Sequence, residues 1–247
     1  MILIVGSNHD DVLYYENLLK DTYDVHILGK YDALCGSISG QEVMVLQDIY
    51  TSYVSSAIVT YIISKYYITL VINIGRVEAV TPGLRVGDIV ISKNVIFGDI
   101  DQIMAVKGTE LGQIPGYPRI YTVRTALLTT MNTCLENFAP GARYNSSYVS
   151  SSFFRQNKEN VKPLQNDEYI LSLNDNIVLD GESAGLALGC LLHDIPFIGV
   201  KIVEAKTGEY TTLDNYLKIL TQYGYLGKAV ASFIGEIYRT AVLRLYE

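Results

Sequence analysis

The sequence predicts an α/β fold, a three-layer α/β/α sandwich around one central mixed sheet, and three observations carry that expectation. Runs such as Ile2-Leu3-Ile4-Val5 and Val71-Ile72-Asn73-Ile74 are apolar and β-branched on both faces, as strands covered by helices on either side require. They alternate with segments whose apolar residues recur at helical spacing, the pattern of crossover connections in a largely parallel sheet. A chain of 247 residues, 49% of them hydrophobic, is long enough for one substantial core, so a single domain over 1–247 is expected.

Residues 2–5 read as a first strand ending at Gly6, and 8–20 as a helix carrying Val12, Leu13, Tyr15, Leu18 and Leu19. Residues 23–28 and 42–47 read as strands bounded by Gly and Asp, with a hairpin-like turn at 36–40. A helix follows over 52–65, then central strands over 69–75 and 88–92 with a tight turn across 75–79. Residues 98–118 form a long loop rich in Gly and Pro, of a kind that in compact domains is functional or interfacial. Beyond it lie a helix at 122–137, a strand at 144–152, a polar excursion at 155–167 and a strand at 177–180. A small-residue helix opening at Gly181-Glu182-Ser183 runs to Leu192, a strand spans 196–203, and a final helix covers 212–246 with a break near Gly224 and Gly227.

A net charge of -7 argues against a phosphate backbone as partner, because nucleic-acid binding depends on clustered Lys and Arg; a small molecule or a protein is expected instead. Cys35, Cys134 and Cys190 are odd in number, far apart and without a C-x-x-C pair, which suggests neither a disulfide framework nor a zinc site and fits a reducing compartment. The start Met1-Ile2-Leu3-Ile4-Val5-Gly6 is too short for a secretory leader, and no run reaches the roughly 18 apolar residues of a membrane helix. A cytoplasmic protein away from the membrane is expected. His9, His26 and His193 are scattered without ligand spacing and read as surface residues.

Glu182 follows a strand in apolar surroundings and opens a helix. That is where open α/β sheets bind ligands, and one carboxylate can accept both vicinal hydroxyls of a ribose. A helix-terminal charge interacting with the macrodipole is the competing reading. In Ser7-Asn8-His9-Asp10-Asp11, the polar and acidic residues read as caps of the helix that starts there.

The segment Val71 to Ala79 with Leu84 to Ser92, then Gly112-Gln113-Ile114-Pro115-Gly116, then Leu179-Asp180-Gly181-Glu182-Ser183 before Asp194-Ile195-Pro196-Phe197, resembles the nucleoside phosphorylase and nucleosidase superfamily over almost the whole chain. The order and spacing are similar to those of methylthioadenosine/S-adenosylhomocysteine nucleosidases. The resemblance implies hydrolysis of an N-glycosidic bond by water, with Asp11 as base, Glu182 on the ribose, Gly181 at the sugar and Phe154 (or Phe153) stacking on the purine. It implies no metal or organic cofactor, and a homodimer formed through the 98–118 loop and the apolar face of helix 52–65. Asn73 matches the hydrolases, whereas hexameric phosphorylases carry a phosphate-binding Arg there. Arg76 and Glu78 replace small residues and are expected at the pocket mouth as an ion pair, with Arg76 also able to hold phosphate. The family's acid, an Asp that protonates the purine N7, is matched by Ala205. Glu204 is the candidate replacement, although a one-residue shift on a strand turns a side chain to the opposite face. Three readings stay open: a nucleosidase acting on methylthioadenosine, S-adenosylhomocysteine or a related nucleoside; a catalytically degraded member that binds a nucleoside or serves a structural or storage role; and an enzyme for a nucleoside whose base needs no N7 protonation.

Overall fold

The structure is a computed structural model describing residues 1–100, 106–139, 141–151, 175–209 and 211–243. Its elements run β1 (Ile2–Val5), α1 (His9–Glu16), β2 (Lys20–Ile27), β3 (Tyr31–Ile38), β4 (Gln41–Leu46), α2 (Ser52–Lys65), β5 (Leu70–Ala79), β6 (Ile89–Phe97) and β7 (Tyr121–Thr122). They continue with α3 (Thr125–Phe138), β8 (Arg143–Ser150), β9 (Asn176–Asp180), α4 (Ser183–Leu192), β10 (Phe197–Lys206) and α5 (Leu213–Leu243).

Among the described residues, one ten-stranded mixed sheet contains every strand. β1 lies between β4 and β5, parallel to both, and β10 runs parallel to β5 on its far side. From β10 the sheet passes through β6, β8 and β9 and returns to β5, closing those five strands into a ring, while β4, β3 and β2 extend from β1 as an open wing. The expected strands at 2–5, 69–75, 88–92, 177–180 and 196–203 all lie in this sheet, and their residues are almost wholly buried, as two-sided cover by helices demands. Helix α2 packs on α4, while α1 and α3 pack on α5, giving the two helical layers.

Several boundaries differ from expectation for identifiable reasons. The segment 75–79 is not a turn: β5 continues to Ala79 because its backbone is paired with β10 on one side and with Leu179 and Val178 of β9 on the other. The expected turn at 36–40 shrinks to Ser39 and Gly40, because an additional strand, β3, runs through Ile38 and pairs with both β2 and β4. Helix α5 is continuous through Gly224 and Gly227, and at Gly227 a Cβ would lie 2.2 Å from the Tyr14 ring, so glycine there serves close packing on α1. The inner face of α2 is not free for an interface, since Ile58, Val59 and Ile62 are buried within the chain. The excursion at 155–167 and residues 101–105 of the 98–118 loop lie outside the described residues.

Candidate active site

β1 ends beside Asn73 of β5, β10 runs parallel to β5 with Lys201 in register with Gly75, and β9 meets β5 antiparallel, so the polar residues that interrupt these apolar strands converge in one region of the sheet. Glu182, immediately after β9 at the N-cap of α4, is 2% exposed. Its Oε1 accepts from Ser7 Oγ at 2.9 Å, from Asn73 Nδ2 at 3.4 Å and from Lys201 Nζ, while Oε2 accepts from the Gly181 N–H at 3.2 Å. Asn73 is held in turn by its bond to the Val5 carbonyl at 3.1 Å, and its Oδ1 lies 2.7 Å from the Ser183 hydroxyl. Asn73 therefore orients the glutamate from beneath.

Lys201 is the residue that the motif reading overlooked. It sits on β10 with no exposed surface and forms ion pairs with Glu182 and, at 2.6 Å, with Asp180. Burial alone would strip its proton, but the two carboxylates outweigh burial and hold the ammonium above its usual pKa. Burial pushes against ionisation of Asp180 as well, yet Lys201 together with the hydroxyls of Ser150 and Ser183 carries that carboxyl below its ordinary range. Glu182 goes the other way: burial and the neighbouring Asp180 charge raise it despite Lys201. The pair is thus divided into a firmly ionised Asp180 and a more basic Glu182 beside one ammonium ion.

A second cluster adjoins the first. Asp11 is 1% exposed; its Oδ2 accepts from the N–H of Asn8 at 2.9 Å and of Ser7 at 3.2 Å, so it does cap α1, and its Oδ1 accepts from the Tyr223 hydroxyl. Burial and the Asp11 charge push the Tyr223 phenol far above its usual range, keeping it a donor. Seven residues earlier on α5, Tyr216 donates to Asp10 at 2.7 Å, so one face of that helix grips both carboxylates of the first turn of α1. Gly75, with φ of +138°, lets Asp11 approach: a Cβ there would stand 3.1 Å from Oδ2.

Arg76 does not turn to Glu78. Its Nε lies 3.5 Å from Asp11 and its Nη1 3.6 Å from Glu204. Burial opposes its charge, but Tyr223, Asp11 and Glu204 more than compensate. Glu204 reaches Arg76 because β10 bulges: Val203 pairs with Val77 and Ala205 with Glu78, leaving Glu204 as the extra residue. Bulges re-aim side chains, so the simple face inversion expected for a one-residue shift does not apply. Gly181 carries no side chain, and the space beside it is taken by the Tyr50 carbonyl, which would stand 2.2 Å from a Cβ. Phe153 and Phe154 lie outside the described residues.

Of the residues singled out in the sequence, Asp11, Asn73, Arg76, Gly181, Glu182 and Glu204 lie in these two adjoining clusters. Sequence reasoning missed Lys201, Ser7, Asp180 and the two α5 tyrosines. A lone lysine in the otherwise apolar run 197–203 was a legible signal; nothing local marks Tyr216 or Tyr223.

Comparison with known proteins adds three findings. Residues 1–226 match the family described as the Phosphorylase superfamily. Among sequence relatives, the 5'-methylthioadenosine/S-adenosylhomocysteine nucleosidase of Exiguobacterium sp. is 25% identical over 218 residues, covering 87% of this chain and 90% of the relative. The enzyme of the same name from Staphylococcus epidermidis is 26% identical over 204 residues, covering 83% and 86%. Among solved structures, the nucleosidase from Neisseria meningitidis in complex with methylthio-immucillin-A superposes with a TM-score of 0.84 at 20% identity, over 95% of this chain and 98% of that one. The nucleosidase from Colwellia psychrerythraea in complex with adenine gives 0.83 at 20% identity, over 95% and 94%. At these identities the structural likeness establishes the mixed α/β fold.

Proposed function

Because this chain belongs to the phosphorylase superfamily, whose family match spans residues 1–226, we propose that it hydrolyses the N-glycosidic bond of methylthioadenosine, S-adenosylhomocysteine or a related nucleoside. The observation that carries this reading is Glu182. It is a buried carboxylate at the carboxyl edge of the sheet, with three donors on Oε1 and one on Oε2, so that the second oxygen retains acceptor capacity for a vicinal diol. Asp11, in the first turn of α1 just beyond β1, is the base that activates water. Its aspartate side chain is short, and its Oδ2 lies against Gly75 only because residue 75 has no Cβ. Leaving-group protonation is the weak element, since Ala205 carries no proton donor and Glu204 is engaged by Arg76.

Water is favoured over phosphate as the nucleophile. Arg76, on β5 beside Asp11, is already flanked by Asp11 and Glu204, whose charges oppose a second anion. Chromatography of a reaction with methylthioadenosine should therefore yield adenine and free methylthioribose at a rate indifferent to phosphate; a sugar phosphate product would overturn this. Purine stacking by Phe154 belongs to the same proposal, and Phe154→Ala should weaken adenine binding, whereas unchanged affinity would remove that role. The working form is a homodimer, for which the outward Tyr53 of α2, 66% exposed, offers apolar surface; a monomer by light scattering at micromolar concentration contradicts it. A cytoplasmic setting suits three buried free thiols, and secretion of the native chain in cell fractionation would count against it.

A further inference from the structure

The two oxygens of Asp11 are held differently. Oδ2 accepts the N–H groups of Ser7 and Asn8, which come from the start of its own helix and use both lone pairs of that oxygen. Only Oδ1 is left to meet a water. One of its positions is taken by the Tyr223 hydroxyl, while Arg76 Nε stands 3.5 Å away, in ion-pair range but beyond the length of an ordinary N–H···O hydrogen bond. One lone pair of Oδ1 therefore stays open.

Resting on the nucleosidase reading above, we propose that Tyr223 is a positioning residue for Asp11: its hydroxyl fixes the plane of the carboxylate and keeps Oδ1 from closing onto Arg76, so that the open lone pair takes a proton from the attacking water. The water oxygen bonds to C1′, the C1′–N9 bond breaks with its electron pair going to the purine, and the purine takes up a proton from solvent. Tyr223 touches none of the reacting atoms. It acts through the base.

The anchorage of α5 makes the hydroxyl a fixed point. Tyr216, Tyr223 and Gly227 follow one another seven and four residues apart, so they share the face of α5 that packs on α1. Gly227 lets the Tyr14 ring lie directly against that face one turn after Tyr223, and Tyr216 donates to Asp10 at 2.7 Å two turns before it. Tyr223 is thus braced from both sides. Burial and the Asp11 charge keep its phenol protonated, so it stays a donor to Oδ1. Without that hydroxyl, Arg76 is the donor left beside Oδ1 among the described residues, and a charge-assisted bond of about 2.8 Å would draw the oxygen to the guanidinium. The lone pair that water needs would then be occupied.

Steady-state adenine release from methylthioadenosine separates this role from a merely structural one. Tyr223→Phe removes the hydroxyl, keeps the buried ring, and should lower kcat about a hundredfold, the scale of a misplacement of about 1 Å, with KM unchanged. Tyr216→Phe should cost far less, because its partner is Asp10. Adding Arg76→Gln to Tyr223→Phe removes the competing cation, so the double variant should recover most of the loss when judged against Arg76→Gln alone. Undiminished kcat in Tyr223→Phe, an equal loss in Tyr216→Phe, or no recovery in the double variant would overturn the role of Tyr223 and leave the nucleosidase reading standing. No adenine release by the wild type would overturn that reading and the positioning role with it.

Discussion

Replacing Lys201 with methionine should lower the melting temperature by about 10 °C, because breaking a fully buried ion pair costs about 3–5 kcal/mol in a chain of this size. Methionine fills nearly the same volume, so the loss is electrostatic: Asp180 and Glu182, 6% and 2% exposed, would face each other without a cation. The dependence on pH distinguishes this from a packing defect. In the native protein Asp180 titrates low, so its contribution is complete above the ordinary carboxylate range and is lost only as pH falls through its lowered folded value. Lys201 titrates high, so its contribution holds below the ordinary lysine value and is lost only as pH rises through the raised one. Without the ammonium, burial and mutual repulsion raise both carboxylates and the sign reverses: the variant loses stability as pH rises through the carboxylate range. Melting curves should show the gap between variant and wild type narrowing from neutral pH to about pH 5. The double variant Lys201→Met, Asp180→Asn should recover part of the loss. A gap independent of pH would mean that the triad is not charged as described.

The second large effect concerns rate. Ala205→Asp should speed adenine release from methylthioadenosine by roughly 10²- to 10⁴-fold, the usual worth of a general acid, or about 3 to 5 kcal/mol of barrier. Ala205 is 5% exposed and lies in register with Glu78 just past the bulge, so a carboxyl group introduced there would sit in a confined site near a like charge. Both conditions raise a carboxylic acid's pKa toward the range in which it can donate a proton. Glu204→Gln should leave the native rate nearly unchanged, because that carboxylate is held by Arg76 at 3.6 Å. If instead Glu204→Gln inactivates the protein while Ala205→Asp is neutral, Glu204 is the acid and the bulge is the device that delivers it.

Much of the fold was legible because the buried strands advertise themselves: β1, β5, β6 and β10 are apolar on both faces, a pattern open to few other architectures. β3 was hidden by its glycine and its small and polar residues, and it exists because β2 and β4 pair with it on either side. The continuation of β5 past Gly75 was hidden too, since glycine ordinarily marks a turn; here the ladder with β10 overrides it. At the site, Glu182 and Asp11 could be found because a helix start next to a strand end is a local feature. The rest could not. Lys201 reaches the glutamate across 19 residues and Tyr223 reaches Asp11 across 212, and such pairings are properties of the sheet order rather than of any short motif. The ion pairing of Arg76 with Glu204 depends on a bulge that no composition signals.

The central claim, that a buried glutamate at the edge of the sheet anchors a nucleoside for hydrolysis, is tested most directly by adenine release from methylthioadenosine in wild-type protein and in Glu182→Gln, both checked for folding by circular dichroism. The account expects slow but measurable release by the wild type, unaffected by phosphate, and its loss in a folded Glu182→Gln protein. Release that persists undiminished in Glu182→Gln, or no release by wild type under any condition, would contradict it.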